Sequence, residues 1–505
     1  MSTSRPSTSG ATQRGRRHAA TVALLLALCA VVGVGRARAG DAAAAMAARH
    51  GFSPDVLGYI LFDAASGKVL AEHRADEPFI PASTTKITTA LAALEILGSD
   101  FRFATTLLAT GTIGDGTLLG GLYLRGGGDP TLSSDDLRTL VGELRRAGVS
   151  RVAGGFFFDE SLYPRSAEID VLQPEAAPYN PAVSALSVNY NRIELRWRRA
   201  PGAPHTTAEV FSPADGGALP LRGITTGPFV GEVDPRIEFV FAPQPGPRWL
   251  LSPRLAPSGT AFLPVKGDSG PVVAELFATL ARQAGIRLPE PGRADAPADA
   301  REIARHESAP LTTVVEGLLR YSNNLTAELT GLAASYRLAG EGLALEPSAQ
   351  RLAAWWQDRL PETSFRGFVA ANHSGLSSVT RHSPRQMAAI LRYGRSGQAS
   401  GARLQELLHA REIADQGANG AHETTVRAKT GTLLYADGLV GFLTSRDGRE
   451  LGFAILLTDL DARARLDAGR DVRISVSPPE ATDWTARAKA LERDLVARWT
   501  DDGAS

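Results

Sequence analysis

Three short runs in the 505-residue chain place nucleophilic, basic and amide side chains at spacings that can do chemistry. In Ser83-Thr84-Thr85-Lys86 the hydroxyl and the amine lie three residues apart, so on a helix they share one face, a turn apart. A serine becomes a nucleophile when a neighbouring base takes its proton, and a lysine can be that base when burial or a second cation favours its neutral form. In Ser322-Asn323-Asn324 a hydroxyl can relay a proton and an amide can hold a peptide carbonyl. In Lys429-Thr430-Gly431-Thr432 a cation and two hydroxyls can meet a carboxylate, and the glycine leaves room for a substrate along a strand edge. Each run alone is weak; S-x-x-K by itself reads as a capped amphipathic helix with an exposed lysine. The ordered set on helix, inter-helix turn and strand is specific.

The elements that must position these groups follow from the apolar periodicity. Residues 56–62, a polar turn at 63–68 and residues 69–70 read as two strands around a turn. Pro81 precedes a helical pattern with Ile87, Leu91, Leu94 and Leu97 on one face, closing at Gly98. From about residue 101 to 291 the texture changes to short strands, Gly/Pro punctuation and a few helices, for example 137–147 and 272–284. The polar segment 293–308 reads as a linker back into a helical region at 311–338, followed by helices over 351–358 and 384–393. Two apolar runs, 438–444 and 451–458, joined across Arg446-Asp447-Gly448, predict a hairpin. A last helix over 484–499 spaces Leu491, Leu495 and Trp499 by four residues, a face suited to packing on a sheet.

In this order the three runs resemble the signature of the penicillin-recognising serine enzymes: S-x-x-K, then S-x-N, then K-T-G. Ser83 and Ser322 are 239 residues apart, Ser322 and Lys429 only 107. The long first interval resembles the D-alanyl-D-alanine carboxypeptidase/endopeptidase family, the class C penicillin-binding proteins. Further stretches agree with it: 122–132 (LYLRGGGDPTL), 185–191 (ALSVNYN), 322–328 (SNNLTAE) and 374–377 (SGLS). The likeness runs from about 57 to 457. One loop departs from it: where the family has D-G-S-G-L-S-R-x-N, this chain has Asn372-His373-Ser374-Gly375-Leu376-Ser377-Ser378-Val379-Thr380. Since that loop is expected near the site, substrate fit should differ.

The resemblance implies an α/β (α+β) fold of the serine transpeptidase/β-lactamase kind. Its discontinuous catalytic domain would comprise residues 48–98 and 301–498, with a strand-rich insertion at 99–300. It implies Ser83 as nucleophile, Lys86 as general base and Ser322 as proton relay, with Asn324, Lys429, Thr430, Gly431 and Thr432 binding substrate. The backbone N–H groups of Ser83 and Thr432 would form the oxyanion hole. The expected activity is removal of the terminal D-Ala of peptidoglycan stem peptides and cleavage of D-Ala cross-links, through an acyl-serine, with no metal or cofactor. β-Lactams are the expected covalent inhibitors. The rivals are a β-lactamase or esterase of the same superfamily, and a non-catalytic cell-wall scaffold. No E-x-x-x-N segment between Ser322 and Lys429 offers the deacylating water of class A enzymes, and a scaffold has no chemical need for all three motifs.

Composition agrees with secretion. The chain carries 54 Lys+Arg against 54 Asp+Glu, which argues against a nucleic-acid partner, and 43% hydrophobic residues, a globular content. The balance is uneven: residues 1–39 hold six arginines and no acid, leaving 48 basic against 54 acidic residues beyond them. That basic start, an uncharged run at 19–35 and the triplet Ala37-Arg38-Ala39 describe a signal peptide cleaved after Ala39, the alternative being a retained anchor. The single cysteine, Cys29, leaves with it, so neither a disulfide nor a cysteine nucleophile is expected in the mature enzyme. Three decoys resolve as structural. Gly267-Asp268-Ser269-Gly270-Pro271 mimics a trypsin-like nucleophile segment but lacks a supporting upstream histidine. Gly126-Gly127-Gly128-Asp129 reads as a tight turn, and the histidines lack metal-ligand spacing and are expected on the surface or in loops.

Overall fold

The computed structural model describes residues 43–203, 206–215, 217–229, 234–396, 404–414 and 423–502. The expected leader, its cleavage site and Cys29 lie outside the described residues. The main body is built on a six-stranded antiparallel sheet in the order Ala410–Ala414, Glu423–Leu433, Ala436–Thr444, Glu450–Thr458, Leu57–Asp63, Val69–His73. The expected hairpin is present, and the early strand runs in register against its second arm, from Leu57↔Leu457 to Asp63↔Leu451.

The inner strands Leu57–Asp63, Ala436–Thr444 and Glu450–Thr458 are mostly apolar along their length because both faces are buried. Leu57, Tyr59 and Leu61, with Leu439, Leu443, Phe453 and Ile455, pack against the terminal helix Pro479–Asp502 and residues Ala43, Met46 and Ala47. The alternate residues Ile60, Phe62, Val440, Phe442, Ala454 and Leu456 face a layer of helices. That layer contains Lys86–Leu97, Leu311–Tyr321, Asn324–Ala339, Leu345–Arg359 and Pro384–Ser396.

Lys86–Leu97 runs through the middle of this layer. Every residue from Lys86 to Leu94 is buried, so the single apolar face expected from its leucines understates it: alanines and threonines bury the other sides. The helix stops where expected, at Gly98, whose φ of 90° suits only glycine.

Most of the residues between Ala104 and Glu307 form a second body around one continuous hydrophobic cluster that includes Leu107, Leu124, Phe156, Trp249 and Phe277. Its mixed sheet has the order Pro291–Arg293, Phe156–Asp159, Leu122–Arg125, Ala104–Ala109, Arg301–Glu307. Helices Ser134–Arg146 and Gly270–Gln283 accompany it, the former opened by a capping box between Ser133 and Asp136. The expected linker at 293–308 is corrected here: Arg301–Glu307 is an edge strand of this sheet, paired antiparallel with Ala104–Ala109. Its polar alternation, with only Ala304 buried, is what made a one-sided edge strand look like a linker.

The decoys fall into structural places. Ser269 is buried, with its Oγ 2.8 Å from Ser184 Oγ and donating to Leu186 O at 3.0 Å, at the start of the Gly270–Gln283 helix. Asp129 accepts from the Thr131 N–H and hydroxyl, both at 2.8 Å, closing the glycine-rich turn. Two of the histidines expected on the surface or in loops lie in loop segments but are buried. His382 is fully buried and stacks on Phe368 at 4.2 Å, and buried His373 lies 2.7 Å from Ser348 Oγ; burial pushes both imidazoles down to about 3, so they are neutral core groups.

Candidate active site

The first motif lies in a short 3-10 segment, Ala82–Thr85, preceding the central helix, with Ser83 as the candidate nucleophile. Ala82 adopts φ 46°, a left-handed conformation that is strained for alanine, and this bend sets Ser83 at the head of the helix. One turn on, the Lys86 side chain is 0% exposed. Its Nζ lies 2.7 Å from Ser83 Oγ and donates to Asn324 Oδ1 at 2.7 Å and to the Ser374 carbonyl at 2.8 Å. Burial, reinforced by the charge of Lys429 and opposed by that of Glu328, holds the Lys86 amine well below the usual lysine range.

The second motif sits at a helix–helix junction. Ser322 ends Leu311–Tyr321 in a left-handed conformation (φ 56°), and Asn323 caps the next helix by accepting from the Thr326 N–H at 2.9 Å. Asn324 then faces inward at the first turn of Asn324–Ala339. Its Oδ1 takes the Lys86 proton donor, while its Nδ2 donates to the Tyr179 carbonyl, 2.9 Å away in the inserted body. The amide is thereby held from both bodies.

The third motif lies on strand Glu423–Leu433, where Gly431 passes directly over the Ser83 turn. A Cβ there would stand 2.5 Å from Pro81 O and 2.9 Å from Ser83 N, so only glycine lets strand and turn meet. Lys429 is 1% exposed and donates to Thr430 O at 2.8 Å. Burial, helped by the Arg411 guanidinium, pushes its amine down to about 7. Thr432, Ser83, Ser322 and Asn324 all line one cleft of ≈ 320 Å³. Lys86, Lys429, Thr430 and Gly431 are not among the residues lining that cleft; Thr430 enters the network through its carbonyl, the acceptor for Lys429.

Sequence reasoning missed several groups that hold the site together. Glu328, 0% exposed, follows Asn324 by four residues on the same helix face. Its carboxylate accepts from the backbone N–H of His373 (3.0 Å) and Ser374 (2.9 Å), fixing the loop whose carbonyl receives Lys86. Burial pushes this carboxyl up, and the Ser374 hydroxyl, those two N–H groups and Lys86 pull it back. The departing loop is therefore at the site as expected: Gly375 and Leu376 line the cleft, and a Cβ on Gly375 would reach within 2.0 Å of Ala82 O. Two arginines also line the cleft. Arg463 is bound by both carboxylate oxygens of Asp467, while Arg470 keeps a buried Nε that no acceptor reaches.

Comparison with known proteins agrees with this geometry. The D-alanyl-D-alanine carboxypeptidase of Actinomadura sp. (strain R39) is 29% identical over 437 residues, covering 79% of this chain and 77% of that protein. The D-alanyl-D-alanine carboxypeptidase DacB of Haemophilus influenzae is 24% identical over 427 residues, covering 79% and 84%. The crystal structure of penicillin binding protein 4 from Haemophilus influenzae superposes with a TM-score of 0.71 at 20% identity, covering 88% of this chain and 96% of that one. A β-lactam complex of the same protein superposes with a TM-score of 0.69. The sequence pattern of the D-Ala-D-Ala carboxypeptidase 3 (S13) family matches residues 41–217 and 260–474, a span that contains all three motifs and most of the inserted body. This chain belongs to the D-Ala-D-Ala carboxypeptidase 3 (S13) family.

Proposed function

We propose that the protein is a serine-type D-Ala-D-Ala carboxypeptidase that also cleaves D-Ala cross-links, acting on peptidoglycan stem peptides outside the cytoplasmic membrane. The observation that carries this reading is the environment of Lys86. A neutral lysine amine has two N–H groups and one lone pair. Asn324 Oδ1 and the Ser374 carbonyl take the two N–H groups, which leaves the lone pair for the Ser83 hydroxyl 2.7 Å away. Burial and the charge of Lys429 favour the neutral form of this amine, and the three contacts aim its lone pair at Ser83 as a general base.

Ser83 Oγ then attacks the carbonyl carbon of the penultimate D-Ala as its proton passes to Lys86. The carbonyl oxygen becomes an oxyanion held by the backbone N–H groups of Ser83 and Thr432, which the Gly431 contact brings together. Such donors are worth about 10²- to 10³-fold in rate each. The proton travels by way of Ser322 to the amine of the departing D-Ala as the C–N bond breaks, leaving an ester on Ser83. Water hydrolyses that ester and returns the enzyme. Lys429 supplies the charge for the terminal carboxylate beside Thr432, Asn324 holds the acyl side, and the arginine-lined wall of the cleft suits an anionic peptide. β-Lactams, cyclic mimics of the same dipeptide, acylate Ser83 and are covalent inhibitors. Among the described residues no helix is long and apolar enough to cross a membrane.

A fluorescent penicillin tests the nucleophile. The protein should retain the label through denaturing electrophoresis, and Ser83→Ala should lose it; labelling that survives the substitution would contradict the assignment. Slow loss of the label separates this reading from a β-lactamase, which would release it within one turnover.

A further inference from the structure

Thr432 stands exposed in the cleft, but its hydroxyl donates away from it, to Asp437 Oδ1 at 2.6 Å. Asp437 is the direct cross-strand partner of Thr432 on strand Ala436–Thr444, so both side chains leave the sheet on one face. That face is the apolar one under the Pro479–Asp502 helix, and Asp437 is 1% exposed in it. The helix adds Glu492, which is 7% exposed. Asp437 Oδ2 and Glu492 Oε1 are buried, and no donor reaches either.

Two buried carboxyls, each with one oxygen that no donor reaches, resist ionising together. The charged groups facing the pair are Lys489 and Arg493, both on the terminal helix and both exposed, while the neighbouring strand offers only Leu457. Burial, and then the charge of Asp437, pushes Glu492 well above the carboxylate range. Burial pushes Asp437 up to about 6, against the Thr432 hydroxyl, Lys489 and the Gly438 N–H.

We propose that Asp437, backed by Glu492, is a positioning residue that sets, through Thr432, how strongly the cleft binds the carboxylate at the end of its substrate. This rests on the D-Ala-D-Ala peptidase reading of the cleft. A threonine hydroxyl has one proton to give. When Asp437 is ionised it takes that proton, and Thr432 Oγ1 turns only lone pairs towards the substrate, with a negative charge behind them. When Asp437 is protonated, the carboxyl O–H donates to Thr432 Oγ1 and the threonine O–H is released to the substrate carboxylate. The substrate gains a charge-assisted hydrogen bond and loses a like charge, a change of about tenfold in affinity.

The test compares wild type with Asp437→Asn, whose amide can donate to Thr432 at any pH. The substrates are an N-acylated tripeptide ending in D-Ala-D-Ala and the same peptide ending in a carboxamide. At about pH 8, above the Asp437 titration, D437N should lower KM for the carboxylate peptide about tenfold, with little change in kcat and no change in KM for the carboxamide. At about pH 4.5 wild-type Asp437 is protonated and the two enzymes should have the same KM. Comparing variants at one pH cancels the titrations of Lys86 and Lys429. Glu492→Gln, an uncharged stand-in for protonated Glu492, is the second variant and should keep the wild-type pH dependence of KM. An unchanged KM in D437N at about pH 8, equal shifts for both substrates, or a difference that persists at the lower pH would overturn the proposal. No hydrolysis of either peptide by wild type would instead overturn the peptidase reading on which it rests.

Discussion

Lys86 and Lys429 carry the same charge when free in water, yet the site needs one neutral and the other charged. Burial lowers both: the charge of Lys429 further disfavours a second one on Lys86, and Lys429 itself is brought to about 7. The sign of the pH dependence follows. Below its depressed titration Lys86 is protonated and cannot take the Ser83 proton, so kcat/KM rises with pH there. Above about 7 Lys429 loses the charge that meets the substrate carboxylate, so kcat/KM falls by about tenfold per pH unit beyond it. A bell-shaped kcat/KM profile with its descending limb near neutrality is the expected result. A profile still climbing through the mildly alkaline range would show that Lys429 is not needed in its charged form.

At the scale of elements, the three motifs were legible because each is local: a helix start, an inter-helix turn and a strand carry their own spacing. Groups contributed across long sequence distances were not. Glu328, the Ser374 carbonyl, the Tyr179 carbonyl and the Asp437–Glu492 pair act through contacts that only the folded chain creates. Glu328 left one usable signal, an acid one helical turn beyond Asn324 on a face otherwise apolar. The strand Arg301–Glu307 was missed for the opposite reason, since a solvent-facing edge strand lacks the apolar run that marks a buried one. The K-T-G glycine shows how closely element packing and chemistry are joined. Gly431→Ala would drive its methyl into the Pro81 carbonyl and the Ser83 and Thr84 N–H groups, none of them able to yield as a flexible side chain would. Parting strand from turn by even about 1 Å should cost on the order of 10²-fold in acylation rate, with a much smaller loss of thermal stability. A variant acylating at the wild-type rate would mean that the strand does not position the oxyanion donors.

For the whole molecule, the inserted body does more than decorate the first interval. Its Tyr179 carbonyl fixes Asn324, and Asn324 in turn fixes Lys86, so the Lys86 amine is oriented partly by a segment far from it in sequence. Chain closure works the same way: the Leu57–Asp63 strand seals against Glu450–Thr458, and the terminal helix covers the sheet face that holds Asp437 and itself contributes Glu492. The site is therefore a product of both bodies and both ends of the described chain, which is the arrangement a peptide-bond hydrolase needs if three dispersed motifs are to meet within hydrogen-bond distance. The central claim is that this meeting makes a D-Ala-D-Ala peptidase with Ser83 as its nucleophile. Release of free D-Ala from a peptidoglycan stem pentapeptide measures it directly. The wild-type protein should release one D-Ala per peptide and Ser83→Ala none, while a folded wild-type protein that releases no D-Ala, or a Ser83→Ala variant that still does, would contradict the account.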